Sequence, residues 1–69
     1  QTKTEDMDTR YKFRIKHILG DKEQMTILVD YEEDRDEQVA HLEDIEKVGI
    51  IRIEELCEGD YITKLEITL

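Results

Sequence analysis

With 69 residues, the chain is long enough for one small domain with a thin core and too short for a multidomain enzyme. Its 19 acidic and 10 basic side chains leave a formal charge of −9, which opposes tight nonspecific binding to nucleic acid or anionic lipid and favours basic partners. The single cysteine, Cys57, excludes an intramolecular disulfide and a cysteine-built zinc cluster, and it predicts a reducing, cytoplasmic setting. Oligomerisation is the remaining way to add buried area, so a homo-oligomer is expected.

Residues 1–9 hold one apolar side chain, Met7, and read as a disordered tail before a single domain over residues 10–69. Met7 also offers an initiator; residues 1–6 would then belong to a precursor or to an added segment, and the sequence leaves both open. No apolar run nears the ~18 residues of a membrane span, and no secretory core is present, so no membrane partner is expected.

Residues 10–19 alternate, with Tyr11, Phe13 and Ile15 on one side and Arg10, Lys12, Arg14 and Lys16 on the other. A period of two predicts a half-buried strand. Turn chemistry at Gly20, Asp21 and Lys22 leads to a second strand over residues 24–31, with Met25, Ile27, Val29 and Tyr31 facing one way. The period then changes. Val39, Leu42, Ile45 and Val48 recur every third residue and predict a helix over residues 34–48. Asp34 or Asp36 would cap its start; Lys47 in the last turn and Gly49 just past it would mark its end.

Two further strands follow, over residues 50–56 and 61–69, joined at Gly59 and Asp60. In the last strand Tyr61, Thr63, Leu65, Ile67 and Leu69 are read as one face and Ile62, Lys64, Glu66 and Thr68 as the other. The predicted fold is α+β with element order ββαββ, a four-stranded, mainly antiparallel sheet with one helix on one face. A small, partly open β-barrel is the alternative. A single helix covers one face, so Leu28, Ile50, Leu56 and Ile62 are expected on the other, a candidate oligomer surface unless the sheet coils over them.

Residues 30–46 are the most unusual stretch. Asp30, Glu32, Glu33, Asp34, Asp36, Glu37, Glu43, Asp44 and Glu46 are opposed by Arg35 alone. With the apolar stripe against the sheet, these carboxylates cover the outer helix surface and the loop before it. Such a ridge imitates the charge spacing of a phosphate backbone and suits a basic groove, steering the encounter electrostatically. The plainer reading is a solvated helix face that confers solubility.

Other chemistries find little footing. In a calcium loop counted from Asp30, the sixth position, which needs glycine, is Arg35, and the twelfth, which needs glutamate, is His41. Neither His17, read as a partly buried edge residue, nor His41, one helical turn after Glu37, has a second ligand at metal spacing. No pair of carboxylates marks a cleft, so neither enzyme activity nor a cofactor is expected. Arg10, Lys12, Arg14 and Lys16 form a basic row of a kind that grips phosphates. Plainer roles compete for the row: neutralising acidic neighbours on the same sheet, guarding a sheet edge, or meeting the acidic helix of another subunit. The charge of the whole molecule weighs against direct nucleic-acid binding.

In small size, acidic bias and lack of catalytic residues the chain resembles DNA-mimic inhibitors and phage-encoded host-takeover proteins. That resemblance is compositional and implies a non-enzymatic protein that binds a basic nucleic-acid-binding protein.

Overall fold

The computed structural model describes residues 11–69; the expected tail and Arg10 lie outside the described residues. Four strands and one helix follow in the order β1 (Phe13–Leu19), β2 (Lys22–Val29), α1 (Glu32–Ile45), β3 (Ile50–Cys57) and β4 (Asp60–Thr68). The strands form one open antiparallel sheet ordered β2-β1-β3-β4, with the helix on one face. This is the α+β ββαββ fold predicted, and the sheet does not close into a barrel.

Two tight turns set the hairpins. Cys57 pairs with Asp60, leaving Glu58 and Gly59 as a two-residue loop. Their φ angles of 50° and 87° are both left-handed, the geometry whose twist matches paired strands. The other hairpin also has a two-residue loop, Gly20 and Asp21 between the paired Leu19 and Lys22, but there Gly20 alone is left-handed, with φ 66°.

The core lies between α1 and the two central strands. Phe13, Ile15, Leu42, Ile51 and Ile53 are buried, with Ile27, Val29, Val39, Ile67 and Leu69 packed around them. The helical stripe contributes less than its sequence suggests. Residues every three positions drift by about 60° per step around a helix of 3.6 residues per turn. Leu42 therefore points at the sheet, while Ile45 is exposed, as is Val48 beyond the helix end.

The ends of α1 also differ from expectation. Tyr31 occupies the N-cap with no side-chain hydrogen bond, and Asp34 lies in the first turn with Glu32 and Glu33. Three carboxylates there meet the positive end of the helix dipole, which takes the place of a polar cap. Glu46, not Gly49, terminates the helix, in extended backbone. Gly49 has another task. At φ 108° it passes so close to β1 that a Cβ would sit 2.6 Å from the Ile18 carbonyl oxygen and 2.9 Å from His17 Nε2.

A bulge corrects the reading of β4. The register slips between Ile53 and Glu54, so Ile53 faces Leu65 while Glu54 faces Thr63. One extra residue, Lys64, turns the strand over. Leu65, Ile67 and Leu69 stay on the helix side; Tyr61 and Thr63 move to the open face, and Ile62 moves to the helix side. The expected group of Leu28, Ile50, Leu56 and Ile62 is therefore split. The first three share the open face and are half-buried, and Ile62 leaves it. Among the described residues no helix is long and apolar enough to cross a membrane.

Candidate functional site

Of the basic row predicted on the first strand, Arg14 and Lys16 lie on β1 at the centre of the sheet, between β2 and β3, and cannot guard an edge. His17 is likewise buried at the centre and not at an edge. Its Nε2–H donates to the Val48 carbonyl at 3.0 Å, and Glu46 Oε1 lies 3.9 Å from Nδ1.

On the open face the cations are taken by neighbouring strands. Arg14 Nε donates to Glu54 Oε1 at 2.6 Å, Lys16 Nζ lies 3.3 Å from Glu23, and Arg52 Nε donates to Glu66 at 2.7 Å. Lys12, just before β1, instead reaches Glu55 on the helix side at 3.7 Å, with its Nζ 5.8 Å from the Phe13 ring centroid. The Arg14 guanidinium also stacks on Tyr61, 4.1 Å from the ring centroid. Lys16 and Arg52 face each other across β1 and β3, and each leans outward to its own carboxylate. Neutralisation by the sheet's glutamates accounts for Lys12, Arg14 and Lys16.

Charge is consequently split between the two layers. The two hairpins, residues 12–29 and 50–68, hold six cations and seven carboxylates, close to balance. Residues 30–46 hold nine carboxylates and one cation. Glu32, Glu33, Asp34, Asp36, Glu37, Glu43 and Asp44 are all exposed on α1, and Asp30 is exposed just before it. Glu46 is half-buried beside His17.

The opposing cation is turned inward. The Arg35 guanidinium lies 4.9 Å from the Phe13 ring centroid, and its Nη2 reaches Asp36 at 2.9 Å. It serves as a lid on the core beneath the acidic surface. Asp30 has a local task as well, since its Oδ1 accepts the Lys12 backbone N–H at 3.2 Å. His41 is exposed among the carboxylates.

Compared with protein-family models, curated proteins and solved structures, the chain matches none. Its surface therefore has to be read from its own chemistry. Among the described residues there is no pocket and no group of three or more His, Cys, Asp or Glu side chains placed to hold a metal ion.

Sequence reasoning missed the inward turn of Arg35 and the uncovered side of β4; neutralisation of the basic row by the same sheet was among its readings, without the partner of each cation. The turn of Arg35 and those partners carried a weak signal. Arg35 is the lone cation of its segment, and Glu54 and Glu66 alternate with apolar residues on strands predicted to pair.

Proposed function

We propose that this chain is a non-catalytic binding module that presents the outer surface of α1 to a basic surface of another protein. What supports the reading is the separation of charge. The hairpins neutralise themselves, and nearly all of the excess negative charge stands exposed on one helix and its leading loop. Like charges at helical spacing repel by a few tenths of a kcal/mol per pair, a cost a thin domain has little room for unless the field serves a purpose. In its sharpest form, the partner is a protein that itself binds DNA or RNA, and α1 occupies its groove as a phosphate backbone would. The single free thiol of Cys57 favours a reducing, cytoplasmic setting for that encounter.

The test is capture from a host lysate with tagged protein, eluted in rising salt, beside a variant carrying Glu33→Gln, Asp36→Asn, Glu37→Gln and Asp44→Asn. A basic nucleic-acid-binding protein that is held by the wild type, released at high salt and lost from the variant is the expected result. Equal retention by both proteins, with no salt dependence, would sink the reading.

A further inference from the structure

α1 is narrower than the sheet beneath it. It packs on β1 and more lightly on β2; on the helix-side face of β4, Ile67 and Leu69 join the core, while among the described residues Ile62 and Leu65 are left uncovered. Leu65, opposite Ile53, and Ile62, opposite Glu55, lie on that face and are 53% and 46% exposed. One strand inward, Ile51 and Ile53 are buried. Single exposed aliphatics are ordinary on protein surfaces. The setting of these two is less so.

Arg35 sits over Phe13 and Glu46 beside His17, so α1 runs in the same direction as β1. The Lys12 carbonyl accepts the Leu56 N–H at 2.7 Å, which fixes the side of β1 on which β3 lies. The right hand of the helix then turns Glu32, Asp36 and Glu43 toward β3 and β4, and Asp34, His41 and Ile45 toward β2. Strands lie about 4.8 Å apart, so the ledge formed by Ile62 and Leu65 is walled along one side by exposed carboxylates.

The wall selects the occupant. A second copy would set net charge −9 against −9 and bring like carboxylates together. A neutral apolar segment would leave the wall unmatched. We infer that this ledge receives a basic amphipathic segment of the protein partner. The segment lays aliphatic side chains on Ile62 and Leu65 and directs Lys or Arg at Glu32, Asp36 and Glu43. This rests on the reading of α1 as the surface that meets a basic partner, and it adds the kind of segment that partner must offer. The apolar contact also makes part of the affinity indifferent to salt.

The test is a titration of the full, isotope-labelled chain, followed by amide chemical shifts. Its two probes are an oligolysine and an amphipathic lysine–leucine peptide with the same number of lysines. Oligolysine is expected to shift α1 alone and to dissociate at high salt. The amphipathic peptide is expected to shift Ile62 and Leu65 as well, and to bind about tenfold tighter. The double variant Ile62→Ser, Leu65→Ser should lose that tenfold and keep the oligolysine affinity, and the dispersion of its own amide spectrum reports that it is folded.

If the amphipathic peptide binds no tighter than oligolysine, or shifts other residues, the ledge is excluded while the reading of α1 stands. Failure of oligolysine to bind at low salt overturns the reading of α1 itself. A wild-type dimer in sedimentation with Ile62 and Leu65 unresponsive to peptide would give the ledge to a second copy and overturn the inference.

Discussion

Arg14 Nε lies 2.6 Å from Glu54 Oε1 across β1 and β3, and the Glu54 side chain is only 8% exposed. The two halves of this pair are unequal. Without Glu54, Arg14 is still 30% exposed to water and still stacks on Tyr61. Without Arg14, a carboxylate is left nearly buried and unpaired. Arg14→Met should therefore cost about 2–3 kcal/mol, more than Glu54→Gln. The double variant should recover part of that loss. Urea unfolding of the three proteins checks the order, and equal costs for the two single changes would refute it.

Gly49 and His17 make a second close pair. A Cβ on Gly49 would meet a backbone carbonyl at 2.6 Å, and its φ of 108° is strained for any L side chain. Gly59 also has a positive φ, 87°, but nothing lies within 4 Å of its Cβ direction. Gly49→Ala should cost about 3 kcal/mol, and Gly59→Ala about 1 kcal/mol. Thermal unfolding of both variants measures the difference. A similar loss at the two glycines would mean that β1 gives way at Ile18.

Leu42, Ile45 and Val48 look equivalent in the sequence and are not so in the fold. Leu42 packs among Ile15, Ile51 and Ile53; Ile45 and Val48 stand about half exposed. Leu42→Ala should cost about 3 kcal/mol, which approaches the roughly 3–5 kcal/mol that a core of this size supplies. Ile45→Ala should change stability by less than about 1 kcal/mol. Helical circular dichroism against temperature tests both. If Ile45→Ala unfolds the domain, this placement of the helix is wrong.

Alternation in residues 13–19, 25–29 and 50–53 was enough to define three strands and the faces they bury, because each has a period of two without interruption. The change to a helical period at the acidic stretch was equally plain. Strand order was not legible. Nothing in Arg14 or Lys16 states that β1 has a neighbour on either side, so both an edge role for the basic row and an edge position for His17 were open. A bulge leaves no mark in composition, and the extra residue at Lys64 moved Ile62 from one face to the other. Of the candidate site, the acidic residues were all visible in the sequence. The neutrality of the sheet beneath them depends on which strands are neighbours.

Glu23 gives a pH signature. The Thr26 hydroxyl donates to it and Lys16 lies beside it, and these hold its carboxyl below the ordinary 4.5, the hydroxyl more than the lysine. A carboxylate whose pKa is lower in the folded chain adds stability above its unfolded value, and that stability is lost as pH falls through the lowered one. The side chain is 48% exposed, so the contribution is small. The difference in melting temperature between wild type and Glu23→Gln should be level at neutral pH and shrink in acid. A difference that grows as the pH falls has the opposite sign and would contradict the assignment.

The two ends of α1 should respond oppositely to loss of charge. Glu32, Glu33 and Asp34 sit in the first turn, where the helix dipole favours carboxylates. Glu43 and Asp44 sit near the end, where the dipole opposes them; the last turn has no basic residue, and Lys47 beyond it reaches the Asp44 carbonyl at 2.9 Å. Glu33→Gln should destabilise by a few tenths of a kcal/mol, and Glu43→Gln with Asp44→Asn should stabilise by about 0.5–1 kcal/mol. A domain with so thin a core would gain from that change, so the two carboxylates persist at a cost in stability. Such a cost is expected where a charge is kept for binding. The same variant should therefore melt higher and bind an oligolysine more weakly, with a shallower dependence on salt. Higher stability with undiminished binding would place the contact on the first turns of α1 and away from its end.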